Sequence, residues 1–151
     1  MKVIIQRVSE ASVTTINKNR VASIKIGLLI LVGIVDDDTQ EDIDYLCRKI
    51  CGMRIFPDND GVMNKSILEI NGDVIVVSQF TLHASTKKGN RPSYIKAAKP
   101  DIAIPLYEDF KKVLQKNISK PIQSGEFGAD MKVSLINDGP VTIIIDSKNK
   151  E

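Results

Sequence analysis

The fold of this chain is indicated by one continuous stretch, "VASIKIGLLILVGIVDDDTQEDIDYLCRKICG", which covers residues 21–52. Its beginning alternates, with Ala22, Ile24 and Ile26 on one face, as expected of a strand with one buried face. The run "GLLILVGIV" is apolar at nearly every position and predicts a central strand that is buried on both faces. The period then changes to that of an amphipathic helix, whose apolar stripe is formed by Ile43, Leu46, Cys47 and Ile50.

Strand patterns flank this stretch on both sides. "KVIIQRVSEASVTT" (2–15) is rich in β-branched residues, and a polar turn, "NKNR" (17–20), joins it to the next strand. "MRIF" (53–56) predicts a short strand, and "DVIVVSQFTL" (73–82) predicts a longer one whose end becomes polar. Three more strands are predicted in "IQSGEFG" (122–128), "DMKVSLIN" (130–137) and "PVTIIID" (140–146), ahead of a frayed tail, "SKNKE" (147–151).

A second amphipathic helix is predicted in "PDIAIPLYEDFKKVLQKN" (100–117). We expect its inner stripe to consist of Ile102, Leu106, Phe110 and Val113. Strand runs outnumber helices, and hairpins dominate the order of elements. We therefore predict a single domain, residues 1–151, of the α+β class. It should be mostly antiparallel β, with a partly closed, barrel-like sheet and two helices packed outside it.

The composition is that of an ordinary globular protein, with 42% apolar and 26% charged residues. The net charge of +2 neither demands nor excludes a nucleic-acid partner, because a local basic patch can still exist. Cys47 and Cys51 lie four apart in a predicted helix, which favours two reduced thiols. The apolar runs are too short for a membrane span, and the N-terminal run is broken by polar residues. We expect a cytoplasmic protein.

Side-chain catalytic motifs are missing from the sequence. His83 is the only histidine, and we interpret it as an exposed loop residue with no assigned role. No phosphate-binding glycine loop and no metal-ligand spacing occurs. If the protein is an enzyme, its catalytic groups must come from the backbone or from the substrate itself. The amides of Gln79, Phe80 and Thr81, at the end of a strand, are candidates for stabilising an oxyanion. Ordinary turn chemistry is the competing interpretation.

A basic loop follows this strand. "KKGNRPS" (87–93) places Lys87, Lys88 and Arg91 around a glycine, and these cations can hold the phosphates of a nucleic acid. A solvated basic loop without a partner is an equally good interpretation of the same residues. The sequence by itself leaves both open.

Four segments, taken together, resemble one known family. "SQFTL" (78–82), "KKGNRPS" (87–93), "FGADM" (127–131) and "NDGPVT" (137–142) occur in the order and spacing of D-aminoacyl-tRNA deacylases, and "VIIQRVSEASV" (3–13) is similar to that family's opening strand. The resemblance implies a compact α+β homodimer with active sites at the interface. It implies hydrolysis of the ester between a D-amino acid and the terminal ribose of tRNA. It implies no metal and no organic cofactor.

The resemblance also implies roles for individual residues. Ser78, Gln79, Phe80 and Thr81 would surround the reacting carbonyl. Thr81 matches a threonine that acts as nucleophile in one view of the family. In another view, backbone amides hold the oxyanion and the ribose 2′-hydroxyl takes part in catalysis. The absence of a partnered base favours the second view, and the sequence does not decide between them.

A second set of residues is implied to select the substrate. Gly139 and Pro140 match a Gly-cisPro corner that reaches into the partner's pocket, Met131 matches a methionine beside the pocket, and Arg7 matches an arginine that helps hold the corner. A backbone wall cannot swing away from the side chain of an L-amino acid as a side chain can. Such a pocket should accept many D-amino acids and glycine.

Two alternatives remain open at this point. One is a sibling deacylase with a trans Gly-Pro corner, which accepts L-alanyl-tRNA. The other is a non-catalytic RNA-binding module that uses Lys87, Lys88 and Arg91.

Overall fold

The computed structural model of the protein describes residues 1–16 and 18–150. Within these residues it contains eight strands, two α-helices and one 3-10 helix. The strands are β1 Lys2–Thr15, β2 Lys18–Ile24, β3 Gly27–Gly33, β4 Phe56–Pro57, β5 Met63–Lys65, β6 Asp73–Ser78, β7 Gln123–Ser124 and β8 Met131–Asp146. The helices are α1 Gln40–Gly52, the 3-10 helix Phe80–His83 and α2 Pro100–Asn117.

Strand β1 is the centre of the sheet. One of its edges pairs antiparallel with β3 near the start of the strand and with β2 near its end, and its other edge pairs antiparallel with β8. Strand β3 continues to β6, and β6 to β7, through parallel pairs. Parallel neighbours need a crossover connection, and α1 and α2 lie in these two connections. The predicted class is confirmed: α+β, with a nearly closed, barrel-like sheet and two packed helices.

Apolar side chains fill both faces of the sheet, as predicted for the "GLLILVGIV" run. In β3, Leu28 and Ile30 point towards the helices, and Leu29 joins a second apolar cluster on the other face. The predicted stripe of α1 is buried. Cys47 and Cys51 are buried free thiols, and the Cys47 thiol contacts the Phe110 carbonyl oxygen of α2 at 3.6 Å. In residues 1–16 and 18–150, neither helix combines the length and hydrophobicity needed to cross a bilayer.

The predicted inner stripe of α2 is wrong by about one residue. Phe110 is buried as expected, but Ile102 is exposed, and Leu106 and Val113 are only partly buried. The helix instead buries Ala103, Tyr107, Phe110 and Leu114. The physical reason is Tyr107, whose hydroxyl donates a hydrogen bond of 3.0 Å to the Val76 carbonyl oxygen of β6 and so rotates the helix towards the sheet.

The two predicted C-terminal strands form a single strand, β8. Its pairing with β1 is interrupted where Gln6 faces Thr142 and Val8 faces Asn137. Residues 138–141 therefore stand opposite the single residue Arg7. The "NDGPVT" segment is thus a large bulge within a continuous strand pair, and not a turn between two strands.

Two further predictions concern the turn at 17–20 and the C-terminal tail. Of the turn predicted at 17–20, Asn17 lies outside the described residues, and the remaining residues belong to β2. The tail is not frayed at its start, because Ser147 is buried and hydrogen-bonded to the amine of Met1 at 2.8 Å. That amine also forms a buried ion pair with Asp38.

Candidate active site

A cavity of about 290 Å³ opens at the end of β6. It brings together four residues that the sequence singled out: Ser78, Gln79, Phe80 and Met131. Apolar side chains, among them Val32 and Phe127, form the rest of its wall. Of the other predicted site residues, Thr81, Arg7, Gly139 and Pro140 do not line it.

The 3-10 helix directly after β6 determines which backbone amides in this region lack a partner in the described part of the chain. The Gln79 amide donates to the Val32 carbonyl oxygen at 2.7 Å, which extends the pairing of β3 and β6 by one residue. The expectation that this amide is free is therefore wrong. Phe80 and Thr81 begin the helix, where no earlier carbonyl of the helix accepts from their amides. These two amides are the remaining candidates for binding an oxyanion.

Gly33, at the end of β3, allows the 3-10 helix to pack closely against the sheet. A Cβ atom at this position would lie 2.9 Å from Leu82 Cβ, 3.0 Å from His83 Cδ2 and 3.1 Å from the Gln79 carbonyl oxygen. Any larger residue would thus displace the helix that carries the Phe80 and Thr81 amides. Sequence reasoning missed Gly33, although a glycine that ends an apolar strand is a signal of close backbone approach.

The hydroxyl of Thr81 accepts a short hydrogen bond from the side-chain amide of Gln79. An amide nitrogen cannot take a proton from this hydroxyl, so this contact orients Thr81 without activating it. His83 is half-buried, not exposed as predicted, and its Nε2 makes no hydrogen bond within the described residues. Across residues 1–16 and 18–150, no group of three His, Cys, Asp or Glu residues is placed to hold a metal ion.

The bulge of β8 carries Gly139 and Pro140, which are joined by a cis peptide bond and exposed to solvent. Gly139 has a φ of +144°, a backbone conformation that residues with a side chain rarely adopt. A Cβ atom there would lie 2.7 Å from Val141 Cγ2 and 3.0 Å from Arg7 Nη2. Both the conformation and the space require glycine at this position.

Two side chains fix the bulge from within the chain. The buried Arg7 guanidinium donates from Nε to the Asp138 carbonyl oxygen at 2.7 Å and from Nη1 to the Ile55 carbonyl oxygen at 2.6 Å. Asn137 accepts from the Val141 amide at 2.7 Å. Sequence reasoning missed Asn137. Its signal is the tendency of asparagine to hydrogen-bond nearby backbone in tight turns.

The basic loop is a short hairpin beside the 3-10 helix. Ser85 and Ser93 exchange two backbone hydrogen bonds of 2.8 and 2.9 Å, which close the loop at its base. Lys87, Lys88 and Arg91 lie exposed at its tip. The loop therefore presents positive charge to solvent.

The chain is similar to known proteins over nearly its whole length. Residues 4–146 match the family model described as D-Tyr-tRNA(Tyr) deacylase. The chain is 68% identical to a D-aminoacyl-tRNA deacylase of Flavobacterium johnsoniae and 66% identical to one of Bacteroides fragilis, each over the full length of both chains. A solved structure named c-Myc DNA Unwinding Element Binding Protein is 38% identical, with a TM-score of 0.91 over 97% of this chain and 98% of that one. The resemblance seen in the sequence is confirmed, and the chain belongs to the D-Tyr-tRNA(Tyr) deacylase family.

Proposed function

We propose that this protein hydrolyses the ester bond of D-aminoacyl-tRNA and releases the free D-amino acid and tRNA. The observation that carries the proposal is the cavity at the end of β6, which Phe80 lines and at whose edge the 3-10 helix Phe80–His83 begins with the amides of Phe80 and Thr81. Full-length relatives named D-aminoacyl-tRNA deacylase support the same reaction.

The proposed chemistry depends on the backbone. Water adds to the acyl carbon, and the carbonyl oxygen becomes an oxyanion that accepts hydrogen bonds from the amides of Phe80 and Thr81. The tetrahedral intermediate then collapses, the bond from the acyl carbon to the ribose oxygen breaks, and that oxygen takes up a proton. We assign the proton transfers to water and the neighbouring ribose 2′-hydroxyl, since no side-chain base contacts the Thr81 hydroxyl among the described residues. Ser78 and Gln79 orient the substrate.

Chiral selection is assigned to Gly139 and Pro140. These residues are exposed and do not line the cavity of their own chain. We propose that the protein is a homodimer in which this corner enters the partner's cavity beside Met131, which lines the wall. There the main chain would occupy the space that the side chain of an L-amino acid needs. A thousandfold preference requires about 4 kcal/mol, which a steric clash supplies readily.

A pocket that selects only by excluding the side chain of an L-amino acid has no means of rejecting glycine. Glycine has no side chain to clash, so we propose that glycyl-tRNA is also a substrate. Lys87, Lys88 and Arg91 are proposed to hold the tRNA through its phosphates, because they form an exposed cationic hairpin tip. A substrate that takes part in translation also makes the cytoplasm the proposed site of action.

A second candidate is nucleic-acid binding without turnover. It is favoured by the solved relative named as a DNA-unwinding-element binding protein and by the basic hairpin. The two candidates differ in one property, the release of amino acid from charged tRNA.

The deciding experiment measures hydrolysis of D-tyrosyl-, L-tyrosyl-, glycyl- and L-alanyl-tRNA by the purified protein, together with its mass by sedimentation. We expect rapid turnover of D-tyrosyl- and glycyl-tRNA, none of the L-tyrosyl ester, and a dimer. Absence of any turnover favours the binding module. Turnover of L-alanyl-tRNA favours a sibling deacylase. A monomer that still cleaves only one enantiomer refutes the cross-subunit wall.

A further inference from the structure

Two exposed aromatic rings meet at the mouth of the cavity. Phe80 lines the cavity, yet 56% of its surface is exposed, and Tyr94 is 41% exposed. Their ring centroids are 5.1 Å apart at an interplanar angle of 77°. Aromatic residues make up only 5% of this chain. An exposed aromatic pair at the entrance of the site therefore indicates a ligand with a planar ring that stacks on it.

The chain around this pair is strongly and uniformly basic. Residues 74–100 contain no Asp or Glu, whereas the whole protein carries a net charge of only +2. Within the described residues, none of the cations of this segment takes part in a salt bridge. These cations are Lys87, Lys88, Arg91, Lys96 and Lys99.

We propose that Phe80 and Tyr94 form a stacking platform for the unpaired nucleotide that precedes the terminal adenosine of tRNA, with the basic segment holding the adjoining phosphates. The inference rests on the proposed function and specifies how its substrate is held. With the ester in the cavity, the RNA strand leaves through the mouth, and Phe80 is the residue shared by cavity and surface. Aromatic faces beside cations are the usual means of binding single-stranded nucleic acid.

Charge favours RNA over the same basic surface of a second copy as the occupant of this platform. A second copy that placed the same surface against itself would bring two sets of uncompensated cations together. A nucleotide supplies both a flat ring for the aromatic pair and a negative charge for Lys87, Lys88 and Arg91.

The test compares two substrates that differ only in the presence of the preceding nucleotides, D-tyrosyl-tRNA and D-tyrosyl-adenosine. For Tyr94→Ala we expect the KM for D-tyrosyl-tRNA to rise about 5- to 150-fold, the range for one lost stacking contact. The KM for D-tyrosyl-adenosine should not change, because that substrate has no nucleotide to stack. Tyr94→Phe keeps the ring and should behave as the parent protein does. Tyr45→Ala removes another partly exposed tyrosine, on α1, and is the matched control.

A second measurement does not depend on catalysis. Fluorescence anisotropy with a labelled, uncharged single-stranded RNA of the tRNA 3′ sequence should show the same loss of affinity in Tyr94→Ala. In Lys88→Ala, the slope of log affinity against log salt should fall by about 0.7.

The platform is refuted if Tyr94→Ala leaves both the KM for D-tyrosyl-tRNA and the RNA affinity unchanged, or raises the KM for D-tyrosyl-adenosine equally. It is also refuted if Tyr94→Ala weakens only the association of subunits in sedimentation. If the parent protein hydrolyses no D-aminoacyl ester, the proposed function fails, and the RNA affinities alone decide on the platform.

Discussion

The side chain of Asn137 holds both backbone polar groups of Val141. Its Oδ1 accepts from the Val141 amide at 2.7 Å, and its Nδ2 donates to the Val141 carbonyl oxygen at 3.3 Å. The same nitrogen also donates to Thr142 Oγ1 at 3.0 Å. A side chain thus replaces the strand pairing that the bulge interrupts, and the ends of the Gly139–Pro140 corner are fixed within one chain.

Removal of this contact should loosen the corner. We expect Asn137→Ala to lower the free energy of unfolding by about 1–3 kcal/mol, because it removes three hydrogen bonds, each with a usual net value of about 1 kcal/mol. It should also lower the ratio of kcat/KM for D-tyrosyl- over L-tyrosyl-tRNA. Asn137→Asp keeps the acceptor for the Val141 amide and loses the donor, so its selectivity should be intermediate. An unchanged ratio in Asn137→Ala would show that the corner is held by other groups.

Gly139→Ala should damage selectivity more strongly. The new Cβ meets Val141 and Arg7 at 3.0 Å or less, and the φ of +144° is unfavourable for alanine. We expect about 1–3 kcal/mol of destabilisation and at least a tenfold loss of discrimination, measured by urea unfolding and by paired kinetics. Gly61→Ala is the matched control, because Gly61 also has a positive φ, of +78°, but no atom within 4 Å of its Cβ position. Equal kinetic effects in the two variants would contradict the assignment.

Gly33→Ala should reduce the rate without removing the fold. Its Cβ would push the 3-10 helix away from β3 and move the Phe80 and Thr81 amides. A displacement of about 1 Å at a catalytic group lowers kcat by about a hundredfold. Gly52→Ala, which meets no atom within 4 Å at the end of α1, should leave kcat unchanged. A normal kcat in Gly33→Ala would exclude these amides from the reaction.

Thr81→Ala should retain measurable activity. The Thr81 hydroxyl receives its hydrogen bond from Gln79 and contacts no base among the described residues, so its loss removes orientation and leaves the backbone amides in place. Single-turnover hydrolysis of D-tyrosyl-tRNA measures this directly, and Thr81→Ser is the control that keeps the hydroxyl. Complete loss of activity in Thr81→Ala, with normal unfolding and activity in Thr81→Ser, would make the hydroxyl essential.

Asp42 at the start of α1 should make stability dependent on pH. Burial alone would raise the pKa of Asp42, but hydrogen bonds from Ser147, the Thr39 amide and Lys148 outweigh it and hold the pKa well below its usual range. Because the pKa is lower in the folded state, the carboxylate stabilises the fold above its unfolded pKa of about 4, and this contribution is lost as pH falls through the folded value.

We therefore expect Asp42→Asn to lower the free energy of unfolding by about 2 kcal/mol at pH 7, and the difference from the parent protein to shrink below about pH 4. Urea unfolding at several pH values measures it. Asp44→Asn changes an exposed carboxylate of the same helix and should have little effect at any pH. A difference that grows as the pH is lowered would refute the assignment.

The long strands and the helices could be predicted because the spacing of apolar residues along the chain indicates which face of each element is buried. The apolar run of β3 and the stripe of α1 both have the predicted burial. The stripe of α2 is displaced from the predicted one because Tyr107, which the predicted stripe does not include, buries its ring and its hydroxyl donates to the Val76 carbonyl oxygen. Likewise, the sequence predicts two separate strands at 130–137 and 140–146, and only the pairing with β1 shows that they form one strand with a bulge.

The candidate site was predictable only through the resemblance to a family. Ser78, Gln79 and Phe80 are ordinary residues for a strand end, and nothing in their identity separates them from a turn. Two further features arise only because β3 and β6 lie side by side in the folded sheet. They are the hydrogen bond from the Gln79 amide to the Val32 carbonyl oxygen and the close packing at Gly33. Local sequence does not record such contacts, because they depend on residues far apart along the chain.

Arg7, which holds the corner, lies in the most fully paired strand of the molecule. Strand β1 has neighbours along both edges, so its backbone hydrogen bonds should break only when the whole sheet opens. The corner is therefore anchored to the last part of the protein to unfold. On this basis, warming should not loosen the corner before the sheet opens, and the fidelity of the proposed proofreading should persist for as long as the folded dimer does.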